Sequence, residues 1–443
     1  MKLSVCDPRY AGEILRSITN AWLRRGVGSY LCVTFALLCL VATTIADETN
    51  VLVVPESSLP LRLAVDLPSG VSGETAHSQI VEVDSEAAAV SVQFVPRLTA
   101  NGSVADERGC LMAVIPGKGQ TSGDRRFKLE CATGPKESDA GPFEFTTIDD
   151  RSLKICDDGK PVLTYNYGTI IGEHVPENDN RRRRACYIHP VWGLDGEMLT
   201  DDFPQDHFHH HGVFWAWPHV NVGGGQYDLW TNRGIEQRFV RWLHRQVGPV
   251  AAVFGVENGW FVGDRQVMTE RAWVRVFAAG DGERSIDIDL FFVPKEEISL
   301  QGAGGKSYGG LVVRYAVRKG DDVKITVPDG PTTEDLKETP LAWADLTTQF
   351  EGAADRSGGA VFVHPEHPDF PPTWLTRHYG PLCVGWPGVN AHKFVPGKPF
   401  HIAYRLWLHR GAGEHEGLKA KYGAYTSSAK VTWCSPPTAE KTE

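Results

Sequence analysis

Hydrophobic and polar residues alternate along most of the chain in short runs. Leu61 to Val65, Ile80 to Val83, Val90 to Phe94, Phe127 to Cys131, Phe143 to Thr147 and Val162 to Tyr167 follow this pattern, each bounded by Gly, Pro, Asp or Asn. A period of two broken by turn formers predicts antiparallel strands joined by tight turns. The pattern continues through Val250 to Val256, Glu270 to Phe277, Ser285 to Phe292, Leu311 to Val317, Val361 to His364 and His401 to His409. Helical spacing is scarce, with short candidates only around Glu334 to Lys337 and Glu414 to Tyr422. The expected fold is therefore all-β: a large antiparallel β-sandwich preceded by a smaller N-terminal β region.

A change in texture near Gly159 to Asn166, where aromatic and histidine density rises, suggests how the chain divides. The expectation is an N-terminal β region over residues 47–158, a His-rich sandwich over 159–426 and a polar, disordered tail over 427–443. Residues 1–46 read as a signal peptide. An apolar run from Tyr30 to Ala46 follows Arg24 and Arg25 and ends in the small residues of Thr44-Ile45-Ala46. Left uncleaved, the same run would be a membrane anchor at the short end of the spanning range. Export to the periplasm or the extracellular space follows from the first layout.

Composition narrows the function. With 42% hydrophobic and 23% charged residues, the chain of 443 residues can bury a sizeable core. A formal charge of −10 excludes a general nucleic-acid binder, which needs a basic face. Six of the nine cysteines lie beyond residue 46, with no C-x-x-C spacing that would suggest a zinc site. One or two disulfides would be compatible with export, Cys110 and Cys131 being the closest pair in sequence.

The chemistry concentrates in one stretch. Residues 187 to 219 contain six of the sixteen histidines: His189, His207, His209, His210, His211 and His219, with Asp201, Asp202 and Asp206 among them. On an extended strand His207, His209 and His211 would share one face and His210 the other. Four uses are open: metal ligation, acid–base chemistry, hydrogen bonding to a polar ligand, or a structural tie between loops. In a strand the outer pair, His207 and His211, would stand about 13 Å apart, so one ion could take two of the three and would need ligands from elsewhere. No GxSxG elbow and no phosphate-cradling loop with a following Lys-Ser/Thr is present.

The segment HPVWGLDGEMLTDDFPQDHFHHHGVFWAW resembles the signature of a bacterial family labelled PmoA. Glu270-Arg-Ala-Trp273, Ser307 to Arg314, His364 to Pro368, Trp374 to Arg377 and Tyr404 to His409 follow in the same order. The label invokes a methane-oxidising membrane enzyme with several long apolar spans, whereas nothing after Ala46 approaches 18 apolar residues. The family's β-rich pattern is similar to the galactose-mutarotase sandwich, which implies a fold rather than a reaction. On that analogy the expectation is a carbohydrate-directed enzyme in which His209 or His211 is the acid and Glu270 the base. Arg314 would clamp the substrate, and His189, Asp206, His207, His210, Trp215, Trp217, His364 and Arg377 would complete the binding surface. The ligand is a small molecule or glycan, with no cofactor and no metal assigned. The alternatives are a non-catalytic glycan-binding module and a protein that binds metal through the His cluster.

Overall fold

The computed structural model describes residues 50–434, apart from position 72 and the stretches 74–77, 120–122 and 132–140. The expected signal peptide and residues 435–443 lie outside the described residues. Two nine-stranded antiparallel sheets form the main body. The first runs in the order Thr339–Pro340, Thr373–Thr376, Pro381–Gly385, Gly310–Arg314, Val213–Ala216, Tyr187–Val191, Lys160–Asn166, Ser152–Asp157, Phe143–Ile148. The second places Ala251–Val262, Arg265–Phe277, Glu283–Pro294 and Phe400–Arg410 side by side at its centre.

One hydrophobic core joins the two sheets. Trp217, just beyond the strand Val213–Ala216, meets Trp260 and Phe292 of the second sheet at ring-centroid distances of 5.3 and 5.6 Å. Val213–Ala216 is buried at every residue, as a central strand covered on both faces must be. The fold is the all-β, large antiparallel sandwich expected from the alternation.

A seven-stranded sheet holds most of the N-terminal region and has its own core around Leu52, Leu63, Ile80, Leu111 and Phe127. It also packs on the second large sheet, where Val95 and Met112 share a cluster with Val253, Trp273 and Phe277. The expected 158/159 boundary falls on the tight turn of the hairpin Ser152–Asp157/Lys160–Asn166, where Asp158 and Gly159 both have positive φ. Strands that share a hydrogen-bond ladder are not separate domains. The passage from one sheet to the next lies between Cys131 and Phe143.

The C-terminal expectation also changes. His415–Ser428 is an α-helix, and Thr432–Cys434 pairs with Val51–Val53. The helix buries Leu418 and Tyr425 against Trp343, Phe362 and Trp407, a gain in apolar burial that a disordered tail would forgo. The second helical candidate, Glu334 to Lys337, is a bend and loop. Cys110 is a buried free thiol, and the Cys131 side chain lies outside the description. Among the described residues no helix is long and apolar enough to cross a membrane.

Candidate functional site

The histidine run is not a strand. It lies in the loop between Tyr187–Val191 and Val213–Ala216 and folds as two successive turns. The His207 N–H donates to the Pro204 carbonyl (2.9 Å) and the His210 N–H to the His207 carbonyl (2.8 Å). Pro204 has no N–H for a ladder, and Phe203 before it sits at φ 48°. Its own N–H donates to the His210 carbonyl, which closes the loop. Turn geometry replaces the alternating faces expected of a strand. His207, His209 and His210 gather on one side, and His211 points into separate packing.

The three gathered rings line a cavity of about 250 Å³. His207 stacks on His210 at 4.7 Å and 3° and on Tyr379 at 5.1 Å, while His209 meets His210 edge-on at 4.7 Å. Trp230, Tyr308, Lys306 and Arg377 complete the wall with Leu375, Pro381 and Cys383. The Nδ1 atoms of His209 and His210 are buried and have no hydrogen-bond partner. Burial, reinforced by His207, pulls the His209 pKa down to about 3, and burial pulls His210 well below the ordinary imidazole value. Both rings are therefore neutral at pH 7. A neutral imidazole carries no acidic proton to give at pH 7, so His209 does not have the protonation state expected of the acid; its bare nitrogen accepts a hydrogen bond, and the same low pKa makes it a weak base.

His211 belongs to a second network. Its Nδ1 meets Asp202 Oδ1 at 2.8 Å, and the Tyr187 hydroxyl donates to Asp202 Oδ2 at 2.7 Å. His189 lies beside this pair with its Nδ1 3.1 Å from the Thr200 hydroxyl. Burial raises the Asp202 pKa to about 6 and pulls both histidines down. Asp202 faces a wider cavity of about 1060 Å³, lined also by Asp201, Asp206 and Arg314. Tyr379 borders both cavities.

Between them runs a chain of contacts. Arg314 donates from Nη2 to both Asp206 oxygens (3.1 and 3.3 Å), and Asp206 Oδ2 lies 2.9 Å from His207 Nδ1. Arg314 is only 3% exposed, its guanidinium lies 5.1 Å from the Tyr379 ring centre, and its Nε and Nη1 are buried without partners. Asp206 sits below the usual carboxylate range because the His207 and Arg314 interactions outweigh its burial. Asp206, His207 and Arg314, expected separately at a binding surface, are in direct contact with one another.

Other expected residues do not join this site. Glu270 is fully buried in the Arg265–Phe277 strand and accepts from Gln237 Nε2 (2.7 Å), Asn258 Nδ2 (2.8 Å) and Trp260 Nε1 (2.7 Å). It lines neither of these two cavities, and the three donors that satisfy it lie within the core, unlike the ligand-facing base expected at this position. Trp215 and Trp217 are each 0% exposed, core residues that no ligand can stack against. His364 borders a third cavity of about 170 Å³ with Arg62, Arg275 and Arg405. Arg377 does line the histidine cavity, where its Nη1 donates to the Leu336 and Thr376 carbonyls.

Sequence reasoning missed Trp230, Lys306, Tyr308 and Tyr379. Lys306 and Tyr308 come from the Gly-rich loop between the strands Ile298–Gln301 and Gly310–Arg314, and Tyr379 from the loop after Arg377. For metal, among the described residues no group of three or more His, Cys, Asp or Glu side chains is arranged to hold an ion. The parallel stacking of His207 on His210 explains part of this, since it turns ring faces, not nitrogens, toward each other.

The sequence profile of a family described as "Family of unknown function (DUF6807)" matches residues 152–422, and the chain belongs to that family. No curated protein sequence matches. Among solved structures, a protein described as a kojibiose phosphorylase from the human microbiome aligns at 9% identity over 64% of this chain and 32% of its own, with a TM-score of 0.29. This chain thus spans about a third of that protein's length. A galactose mutarotase related enzyme from Lactobacillus acidophilus aligns at 8% identity over 61% of this chain and 99% of its own, with a TM-score of 0.26.

Proposed function

We propose that this DUF6807 member binds a carbohydrate in the 250 Å³ cavity and acts on it, with the unprotonated His209 as a hydrogen-bond acceptor for a sugar hydroxyl. One observation carries the reading: two buried, unpartnered imidazole nitrogens share a cavity with Trp230, Tyr308 and Tyr379. A sugar ring offers hydroxyls to such nitrogens and an apolar C–H face to the aromatic rings. A buried polar atom without a partner costs free energy, which a ligand hydroxyl would recover. The cavity lies near the lower end of small-molecule sites, which favours one sugar unit.

The chemistry follows from the protonation states. Neutral His209 accepts a hydrogen bond from a sugar hydroxyl and polarises it. Tyr308 and Tyr379 have pKa values pushed up by burial, so they stay protonated and donate hydrogen bonds to an oxygen that gains charge. Arg314 acts through Asp206 to orient His207 and the wall it forms. Export through residues 1–46 and kinship with PmoA-labelled proteins and mutarotase-like sandwiches belong to the same proposal. N-terminal sequencing of the secreted chain tests the export.

The enzymatic reading is tested by incubating the full chain with a broad sugar panel and following anomeric or epimeric exchange by NMR. His209→Asn should abolish exchange while calorimetry still detects the sugar. Binding with no exchange on any sugar would favour a non-catalytic glycan-binding module instead. Binding of no sugar at all would overturn the proposal.

A further inference from the structure

The wall of the histidine cavity carries positive charge and no carboxylate. Lys306 and Arg377 both line it, while none of the lining residues is Asp or Glu. The nearby acidic groups are already engaged: Asp206 by Arg314 and His207, and Asp335 by His378, with its other oxygen 3.8 Å from Arg377 Nε. Among the described residues Lys306 has no ion-pair partner and its side chain is exposed. This arrangement is unusual in a chain of net charge −10.

Lys306 is also held in place by its backbone. The loop 302–310 closes on itself through the Ser307 N–H to the Ala303 carbonyl (2.8 Å) and is pinned at Gly302, whose N–H donates to the Gly388 carbonyl (2.7 Å). Ser307 sits at φ 58° and is 0% exposed, with its hydroxyl 2.6 Å from the Thr373 hydroxyl. A non-glycine residue at positive φ is uncommon and persists where surrounding contacts over-determine it. The loop is built to present Lys306 and Tyr308 at this cavity.

We infer that the sugar bound here carries an anionic substituent, a carboxylate or a sulfate, held by Lys306 and Arg377. The inference rests on the carbohydrate reading above and names its substrate class. Lys306 supplies a mobile point charge with no ion-pair partner among the described residues, and Arg377, fixed by the Leu336 and Thr376 carbonyls and 3.8 Å from Asp335, supplies a planar one. Neutral His209 and His210 add no charge of their own and leave the hydroxyls to hydrogen bonding. In a cavity walled by low-dielectric side chains, two cations raise the local concentration of an anionic ligand.

Calorimetric titration of the full chain tests the inference with glucuronate and galacturonate, with the 6-sulfates of glucose and galactose, and with glucose and galactose themselves. Acidic sugars should bind at least about tenfold tighter than neutral ones, the scale of one charge-assisted hydrogen bond. Lys306→Gln should remove about that factor for acidic sugars and leave neutral sugars unchanged, and Lys306→Glu should remove more. Preference for the uronates over the sulfated sugars identifies a carboxylate, and the reverse a sulfate. Neutral sugars binding as tightly as acidic ones, or equal loss of both in Lys306→Gln, overturns the anionic inference and leaves the carbohydrate reading standing. A folded protein that binds none of the panel overturns both.

Discussion

Acid should destabilise this protein through its buried histidines, and His209 gives the size of the effect. Its pKa falls from 6.5 to about 3 on folding, so between those values the unfolded chain binds a proton that the folded chain refuses. Stability is therefore fully present above pH 6.5, declines as the pH drops below it, and stops declining near pH 3. At pH 5 the unfolded ring is mostly charged and the folded ring mostly neutral. One and a half pH units at about 1.4 kcal/mol each gives about 2 kcal/mol from this residue, less where cavity water reaches the ring. His210 and His211 shift in the same direction and add to the slope. The assay is urea unfolding at pH 7.5 and pH 5 for wild type and for His209→Asn, which keeps a polar side chain but cannot titrate. Carboxylates contribute equally to both proteins and cancel in the difference. The loss of stability between the two pH values should be about 2 kcal/mol smaller in the variant, at unchanged m. Identical losses would show that the ring is protonated when folded at pH 5 and that its role as an uncharged hydrogen-bond acceptor is mistaken.

Three further outcomes follow from particular contacts. Glu270→Gln keeps one acceptor oxygen where three donors converge, so at least one buried donor loses its partner at a cost of about 1–3 kcal/mol. Chemical denaturation reads that loss, and ligand binding by the folded variant should be unaffected; loss of turnover with stability intact would restore Glu270 as a base. Tyr187→Phe removes a hydrogen bond that holds Asp202 down, so the Asp202 pKa should rise above about 6 in a carboxyl NMR titration. In Gly385→Ala the new methyl would collide with the Ser307 carbonyl oxygen, displacing the loop that carries Lys306. Overpacking of this kind costs about 1–3 kcal/mol, and sugar affinity should fall with it; unchanged affinity would detach the loop from the site.

The fold was legible because it is encoded locally. Period-two alternation between turn formers marks a strand wherever it occurs, and the runs from Leu61 to His409 nearly all became strands. The same rule misread the histidine run, since polar residues in succession carry no alternation and Pro204 diverts the backbone into turns. Trp215 and Trp217 looked like ligand platforms because the sequence does not say that the strand Val213–Ala216 is central and covered on both faces, or that Trp217 just beyond it turns into the core. Glu270 looked like a base because a carboxylate in an alternating strand gives no sign of the three donors that wait for it on neighbouring strands. The real walls of the cavity come from positions 207–210, 230, 306–312 and 375–383, separated by long stretches of chain. Their meeting is a property of the sheet order, which pattern alone does not reveal.

The pairing of Val51–Val53 with Thr432–Cys434 constrains when the protein can finish folding. The first described strand to leave the ribosome, or to enter an export channel, must wait for residues almost four hundred positions later to complete its sheet. Until then Val51–Val54 has one neighbour, Arg125–Cys131, and presents a row of unpaired backbone groups on its other side. Such an exposed edge recruits other strands. A chain stopped before Thr432 would keep every cavity wall described above and still carry that open edge. Its failure would appear as aggregation during synthesis or secretion, with no change in the chemistry of the site.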